Sequence, residues 1–224
     1  MGNTALSENP AFFDLVGQVR AMRRLKPDPI PLETIREVLE AGVQASSGMN
    51  LQPWSFVAIH SEEHRAWFGQ RYKAAIESRF GQLDIPLENE SPTAKTARAL
   101  KYQADHLHTF PLILLVAGKR DWPFKVSENE RVGLAPPNYG AVYPCVQNIL
   151  LACRALGLGA ALTTMHQVFE DDLHEHFKIP DEYGVVVAIP IGYPMCNFGS
   201  VSRRPASEVT YFDTWGNMDP GGWS

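Results

Sequence analysis

Several things are scarce in this sequence, and each scarcity excludes something. Only three cysteines occur, Cys145, Cys153 and Cys196, and they are far apart. They cannot all pair, which argues for a reducing, cytoplasmic setting with packing as their ordinary role. Cations are outnumbered, 20 Lys and Arg against 25 Asp and Glu, for a net charge of −5. That balance speaks against nonspecific binding to nucleic acid. No apolar run approaches the roughly 18 residues of a membrane span. The N-terminus lacks the basic start and apolar stretch of a secretory signal. Leu6 stands where an N-myristoylation motif beginning at Gly2 would carry Ser or Thr. There is no Gly-x-Ser-x-Gly elbow, no Ser-His-Asp signature and no paired-carboxylate motif. Gly157 and Gly159 lack the third glycine of a dinucleotide fingerprint and follow a helix rather than a strand, so they are read as its end. The pairs His106/His108 and His174/His176 lie in stretches that read as helical. There, residues two apart point to nearly opposite sides and cannot share an ion, so no metal site is expected.

What is present alternates between helical and extended signals. Pro10 to Met22 has Phe12, Phe13, Val16 and Val19 on one side, which predicts a helix. Pro27, Pro29 and Pro31 force an extended link, and Pro31 can open the next helix. Leu32, Ile35, Val38, Leu39 and Val43 form its apolar stripe. Trp54–His60 and Pro111–Ala117 read as strands, Leu158–Thr164 as a short strand and Val185–Ile191 as a core strand. Ser61 can cap the helix after the first strand. Residues 81–92 read as a loop, and a helix is predicted from Thr93 to His108. Lys119 to Pro137 has no clear period and reads as a long irregular excursion. The helix Gly140–Leu156 is apolar almost all round, which predicts burial within the chain or in a subunit interface. Glu170–Phe177 is a short helix. No repeat and no linker is visible, so residues 1–224 are read as one domain of α+β class. Its last stretch, 206–224, holds Tyr211, Phe212, Trp215 and Trp223 and reads as a C-terminal arm.

Three groups of residues carry more chemistry than folding needs. The connection Ser46-Ser47-Gly48-Met49-Asn50-Leu51-Gln52-Pro53-Trp54 is longer and richer in donors and acceptors than a plain helix-to-strand turn. Arg20, Arg23 and Arg24 form one arginine cluster, and Arg203 and Arg204 form a second, before Pro205. The planar fork of arginine suits phosphate.

These stretches resemble the FMN-dependent nitroreductase family. Ser47-Gly48-Met49-Asn50-Leu51-Gln52-Pro53-Trp54 is similar to its flavin-contacting loop, with Ser46 where a proline is usual. Gln147-Asn148-Ile149-Leu150-Leu151-Ala152-Cys153-Arg154-Ala155-Leu156-Gly157-Leu158-Gly159 and Ile191-Gly192-Tyr193-Pro194 are also similar to family segments. Arg20 and Arg23 match two arginines of the family's Arg-Arg-Ser-x-Arg motif, whereas Val19 and Ala21 replace its remaining arginine and its serine. The resemblance implies a central, largely antiparallel sheet flanked by helices, in a homodimer with flavin sites at the interface. It implies that Arg20, Arg23 and Arg203, helped by Arg24 and Arg204, hold the FMN phosphate. It implies that Ser47 and Asn50 fix the ribityl chain and ring edge, and that Leu162, Thr163 and Thr164 pass the N5 edge. The activity implied is reduction of an electron-poor small-molecule acceptor by NADH or NADPH, in turn over one flavin face. Other flavin reactions on the same fold (dehalogenation, desaturation, flavin destruction) and non-catalytic FMN binding stay open.

Overall fold

The computed structural model describes residues 12–120 and 139–218. Its central strand is apolar at nearly every position because both of its faces are covered. This strand, β2 (Leu112–Lys119), lies between β1 (Trp54–Ile59) and β4 (Tyr183–Gly192), and the short β3 (Gly159–Ala160) follows β4. The order is β1-β2-β4-β3 and every pair is antiparallel. Side chains alternate across a strand. Leu112, Leu114 and Val116 therefore join one buried cluster, with Ile35 and Val38 of α2 (Leu32–Val43) and Val142, Val146 and Ile149 of α5 (Tyr139–Ala155). Ile113 and Leu115 join the other, with Phe68, Tyr72 and Ile76 of α3 (Glu62–Phe80) and Ala104 of α4 (Pro92–His106). The α+β architecture with helices flanking an antiparallel sheet is the one the sequence predicts.

Two glycines set helix geometry. At Gly42 a Cβ would lie 2.7 Å from Ile149 Cγ1, so glycine is what lets α2 approach α5 closely. Gly157 has φ +73°, and behind it Gly157 N–H donates to Arg154 O (3.2 Å) and Leu158 N–H to Cys153 O (2.7 Å). That pair of bonds is the glycine stop expected after α5. Ser61 caps α3 as expected, its hydroxyl accepting from His64 N–H at 3.3 Å.

The N-terminal region differs from its periodicity. Its helix, α1, covers Phe12–Val16 and does not continue to Met22. Beyond Gly17 the chain becomes extended and pairs with the sheet margin. Met22 N–H donates to Ala160 O, Lys26 N–H to Tyr193 O and Met195 N–H to Arg24 O, and Leu25 bridges Pro194. Met22 and Leu25 are buried there. Hydrogen bonds to β3 and to the end of β4 outweigh a weak local helical preference. Smaller differences follow the same logic. Only Gly159–Ala160 of the expected strand 158–164 is laddered, with Thr163 rejoining through a bridge to Ala188. The helix predicted to reach His108 ends at His106 and is followed by a 3₁₀ turn, Leu107–Thr109. In α6 (Glu170–Phe177) the two histidines diverge, His174 Nδ1 toward Ile179 O (3.2 Å) and His176 Nε2 toward His64 Nδ1 (2.9 Å). Most of the irregular excursion, Pro10 and Trp223 lie outside the described residues.

Candidate functional site

The pairing that ends α1 early also lays residues 19–24 open along the sheet margin, and a cavity opens on each side of them. One, of about 210 Å³, is lined by Val19, Arg20, Leu150, Arg154, Leu158, Leu162, Phe198 and Arg203. The first and last arginine clusters thus meet, although they come from opposite ends of the chain. The floor is apolar and the rim cationic, which is the donor set expected of a site for an amphipathic ligand ending in a phosphate. Arg154 is held by Gln18 Oε1 and lies 4.0 Å from the Phe198 ring centroid. Its Nε is buried, and among the described residues it has no hydrogen-bond partner. Arg203 is exposed and donates to the Ser202 carbonyl at 2.9 Å. Arg204 lines neither cavity.

The second cavity, about 340 Å³, lies between the same segment and α4. Arg20, Arg23 and Arg24 face Lys95 and Arg98 across it, with Leu87 at its edge. Among the described residues no carboxylate pairs with Arg20, Arg23 or Arg24. Arg24 lies over the Tyr102 ring, 5.6 Å from its centroid.

Arg23 also approaches a buried polar group behind the sheet. The Tyr72 hydroxyl accepts from Gln103 Nε2 at 2.8 Å and shares a hydrogen bond with the Thr163 side chain. Burial pushes the Tyr72 phenol above its ordinary value, and the Thr163 bond, the Arg23 charge and the Gln103 bond oppose it. Thr163 is held twice more. Its N–H donates to Ala188 O (2.9 Å) and its carbonyl accepts from Ala188 N–H (3.0 Å). Its backbone donor is therefore spent within the sheet. Thr164 is exposed, and among the described residues no acceptor faces its N–H. Of the two threonines, Thr164 has the backbone donor available to a ligand. Just beyond, His166 is fully buried and hydrogen-bonds Val185 O through Nε2 at 2.8 Å, pinning the turn to β4. Burial lowers its pKa, against the Val185 bond and the charge of Glu170.

The loop 46–52 keeps its expected density of polar groups but lies elsewhere. Met49, Asn50 and Gln52 have φ of 50°, 54° and 48°, and Gln52 N–H donates to Ser47 Oγ at 3.0 Å. Met49 is 80% exposed. The loop leaves through Pro53, whose carbonyl accepts from Lys119 N–H at 2.9 Å, next to Gly118, which a Cβ would press against Val142. Along α5, Val142 and Arg154 are separated by roughly 18 Å at 1.5 Å per residue. The structure thus gathers Arg20, Leu162 and Arg203 around one cavity and Arg23 and Arg24 around its neighbour. Ser47 and Asn50 line none of the described cavities.

Sequence reasoning missed Tyr72, Gln103, Lys95, Arg98 and Arg154. Lys95 and Arg98 stand three apart on α4, a spacing that places both on one helix face, but nothing local says what that face meets. Cys145 and Cys153, as expected, are packing residues. Burial pushes both thiols up to about 12, so neither supplies a thiolate. Among the described residues no group of three His, Cys, Asp or Glu could hold a metal, and no helix is long and apolar enough to cross a membrane.

Against known proteins, the pattern described as Nitroreductase family matches residues 17–193. The chain is similar to an iodotyrosine deiodinase of Thermotoga neapolitana, 27% identical over 186 residues that cover 81% of this chain and 88% of the relative. It is also similar to a 4-nitrobenzoate reductase of a Nocardioides species, 26% identical over 207 residues covering 84% and 83%. Its fold is similar to that of an oxidized iodotyrosine deiodinase bound to FMN and 3-iodo-L-tyrosine. The TM-score is 0.67 at 23% identity, over 87% of this chain and 96% of the other.

Proposed function

This chain belongs to the nitroreductase family, and on that basis we propose that it is an FMN-dependent oxidoreductase that uses NADH or NADPH to reduce nitroaromatic, quinone or other electron-poor acceptors. The observation that carries the reading is the convergence of Arg20 and Arg203 on one cavity floored by Leu158, Ala160 and Leu162. When bound there, FMN would supply the redox chemistry, taking a hydride from the nicotinamide and giving reducing equivalents to an acceptor that follows it onto the same face. The protein's part is to bind, orient and shield. Arg20 and Arg203 hold the phosphate by charge-assisted hydrogen bonds, with Arg154 behind them. Arg23 places positive charge toward Tyr72, behind Thr163, where the ring's N5 edge is expected. Thr164 offers the N–H that Thr163 cannot.

Ser47 and Asn50 reach this ligand from a second copy of the chain. Within one copy no described cavity joins them to Arg20 and Arg203, and the loop that bears them exposes Met49 and Leu51. A homodimer that buries those side chains brings the two halves of the site together.

The test is to purify the protein, release any flavin by heat, and follow reduction of the bound flavin by each nicotinamide in stopped flow. A yellow protein with FMN in the supernatant and rapid bleaching is expected. A colourless protein that takes up no FMN would overturn the flavin reading, and very slow bleaching would favour a binding protein. The likeness to deiodinases favours one second reading, reductive dehalogenation. Turnover with a halogenated phenol but none with nitroaromatics or quinones would establish it in place of the first.

A further inference from the structure

We infer that the cavity between residues 20–24 and α4 takes a phosphomonoester dianion, the 2′-phosphate of NADPH, so that NADPH rather than NADH is the reductant. The inference rests on the flavin reading above, since it names the electron donor for that site. The two cavities share only Arg20, Ala21 and Met22 as a common wall. A phosphate held against Arg203 therefore does not reach Arg24, Lys95 and Arg98, which lie outside the shared wall.

Those three cations are arranged in advance. Arg98 has a side chain only 14% exposed, and its Nη1 donates to the carbonyls of Pro86 (2.8 Å) and Asn89 (2.7 Å). Arg24 rests over Tyr102. Among the described residues one carboxylate pairs with them. Glu90 lies 2.7 Å from Lys95 Nζ and 3.8 Å from Arg98 Nη2. Arg24, Lys95 and Arg98 against Glu90 leave an excess of two positive charges, and Arg23 on the same lining adds to it. A phosphomonoester carries about −1.5 to −2 near neutral pH, whereas an acceptor's carboxylate carries a single charge. The volume of about 340 Å³ is near the lower end of ligand pockets. It suits the phosphorylated ribose end of a dinucleotide rather than the whole molecule.

The experiment uses the FMN-loaded protein and three proteins in parallel: wild type, Lys95→Gln and Glu90→Gln. Lys95 is a suitable probe because Gln has nearly the same helix propensity. Stopped-flow reduction gives the apparent Kd for NADPH and NADH, and calorimetry gives the affinity for 2′-AMP against adenosine. Wild type should hold NADPH at least about tenfold more tightly than NADH, given several charge-assisted bonds to one phosphate. Lys95→Gln should weaken NADPH and 2′-AMP roughly fivefold, as befits a half-exposed cation, with NADH affinity and FMN content unchanged. Glu90→Gln, which removes the competing carboxylate, should shift both ligands the other way. Equal affinity for the two nicotinamides, or 2′-AMP binding no better than adenosine, would overturn the inference. So would loss of FMN from Lys95→Gln, which would give the cavity to the flavin's own phosphate. If the protein takes up no FMN the flavin reading fails instead, and the 2′-AMP titration still decides the cavity.

Discussion

Arg203 lies on the rim of its cavity and is exposed, so its guanidinium can turn onto a phosphate, but water competes for it there. The loss on Arg203→Ala therefore belongs at the lower end of a charged hydrogen bond's worth, about 1.5 kcal/mol or roughly tenfold in FMN Kd. Fluorescence titration of the apoprotein checks this, and unchanged affinity would reduce Arg203 to surface charge. His166 makes a different prediction. Burial keeps its folded pKa below the usual 6.5. The unfolded chain therefore binds more protons than the folded one between those two values, and stability is lost as pH falls through 6.5 toward the folded pKa. His176 is also lowered, by burial and by the charges of His64 and Arg71, and adds to the same slope. Thermal melts at about pH 7.5 and about pH 5.5 should show a drop in Tm for the wild type and a smaller one for His166→Gln. The glutamine amide can keep the bond to Val185 but has no proton to gain. An equal drop in both proteins would count against the assignment.

At the scale of elements, the contact between α2 and α5 leaves no room for a side chain at Gly42. A methyl group at Gly42 would meet Ile149 Cγ1 at 2.7 Å and Cδ1 at 3.1 Å, in the middle of a buried layer. Gly42→Ala should cost about 1–3 kcal/mol through overpacking, even though alanine is the better helix former. Ile149→Ala removes both obstructing atoms. Urea unfolding of the single and double variants should then show the pair costing less than the sum of its parts, and strict additivity would mean that the helices simply move apart. The same layer shows what α5's apolar circumference is for. Val142, Val146, Ile149 and Cys153 are buried against the sheet and α2, while Tyr143 and Gln147 stay exposed on this single chain.

For the whole molecule, the uncovered apolar surface is the telling quantity. Phe12 (63%), Phe13 (84%), Met49 (80%) and Trp215 (87%) are exposed far beyond what scattered surface residues require. Tyr211 and Trp215 pack against each other, with ring centroids 4.3 Å apart and planes tilted by 33°, in the arm after Pro205. Light scattering of the full chain should give a dimer, and a chain ending near Pro205 should lose dimer, FMN or both. A full-length monomer that retains FMN and turns over would refute the dimer. A yellow truncated dimer would refute only the part given to the arm.

Much of this was written locally. The alternating-face burial of β2, the Gly157 stop, the Ser61 cap and the extent of α6 follow from neighbours in the chain, because side-chain alternation and helix capping are short-range. So do the family segments Ser47–Trp54 and Gln147–Gly159, whose meaning is carried by their spacing. What local patterning could not decide involves partners distant in sequence. The first helix stops at Val16 because Met22 and Lys26 find the carbonyls of Ala160 and Tyr193. Thr163 gives its N–H to Ala188, whereas among the described residues that of Thr164 meets no acceptor. Ser47 and Asn50 line no described cavity with Arg20 or Arg203, and Lys95 and Arg98 share a cavity where α4 meets residues 20–24. In each case a backbone hydrogen bond or a helix packing against the sheet outweighed a local preference worth a few tenths of a kcal/mol per residue, and no periodicity in the chain records such a contact.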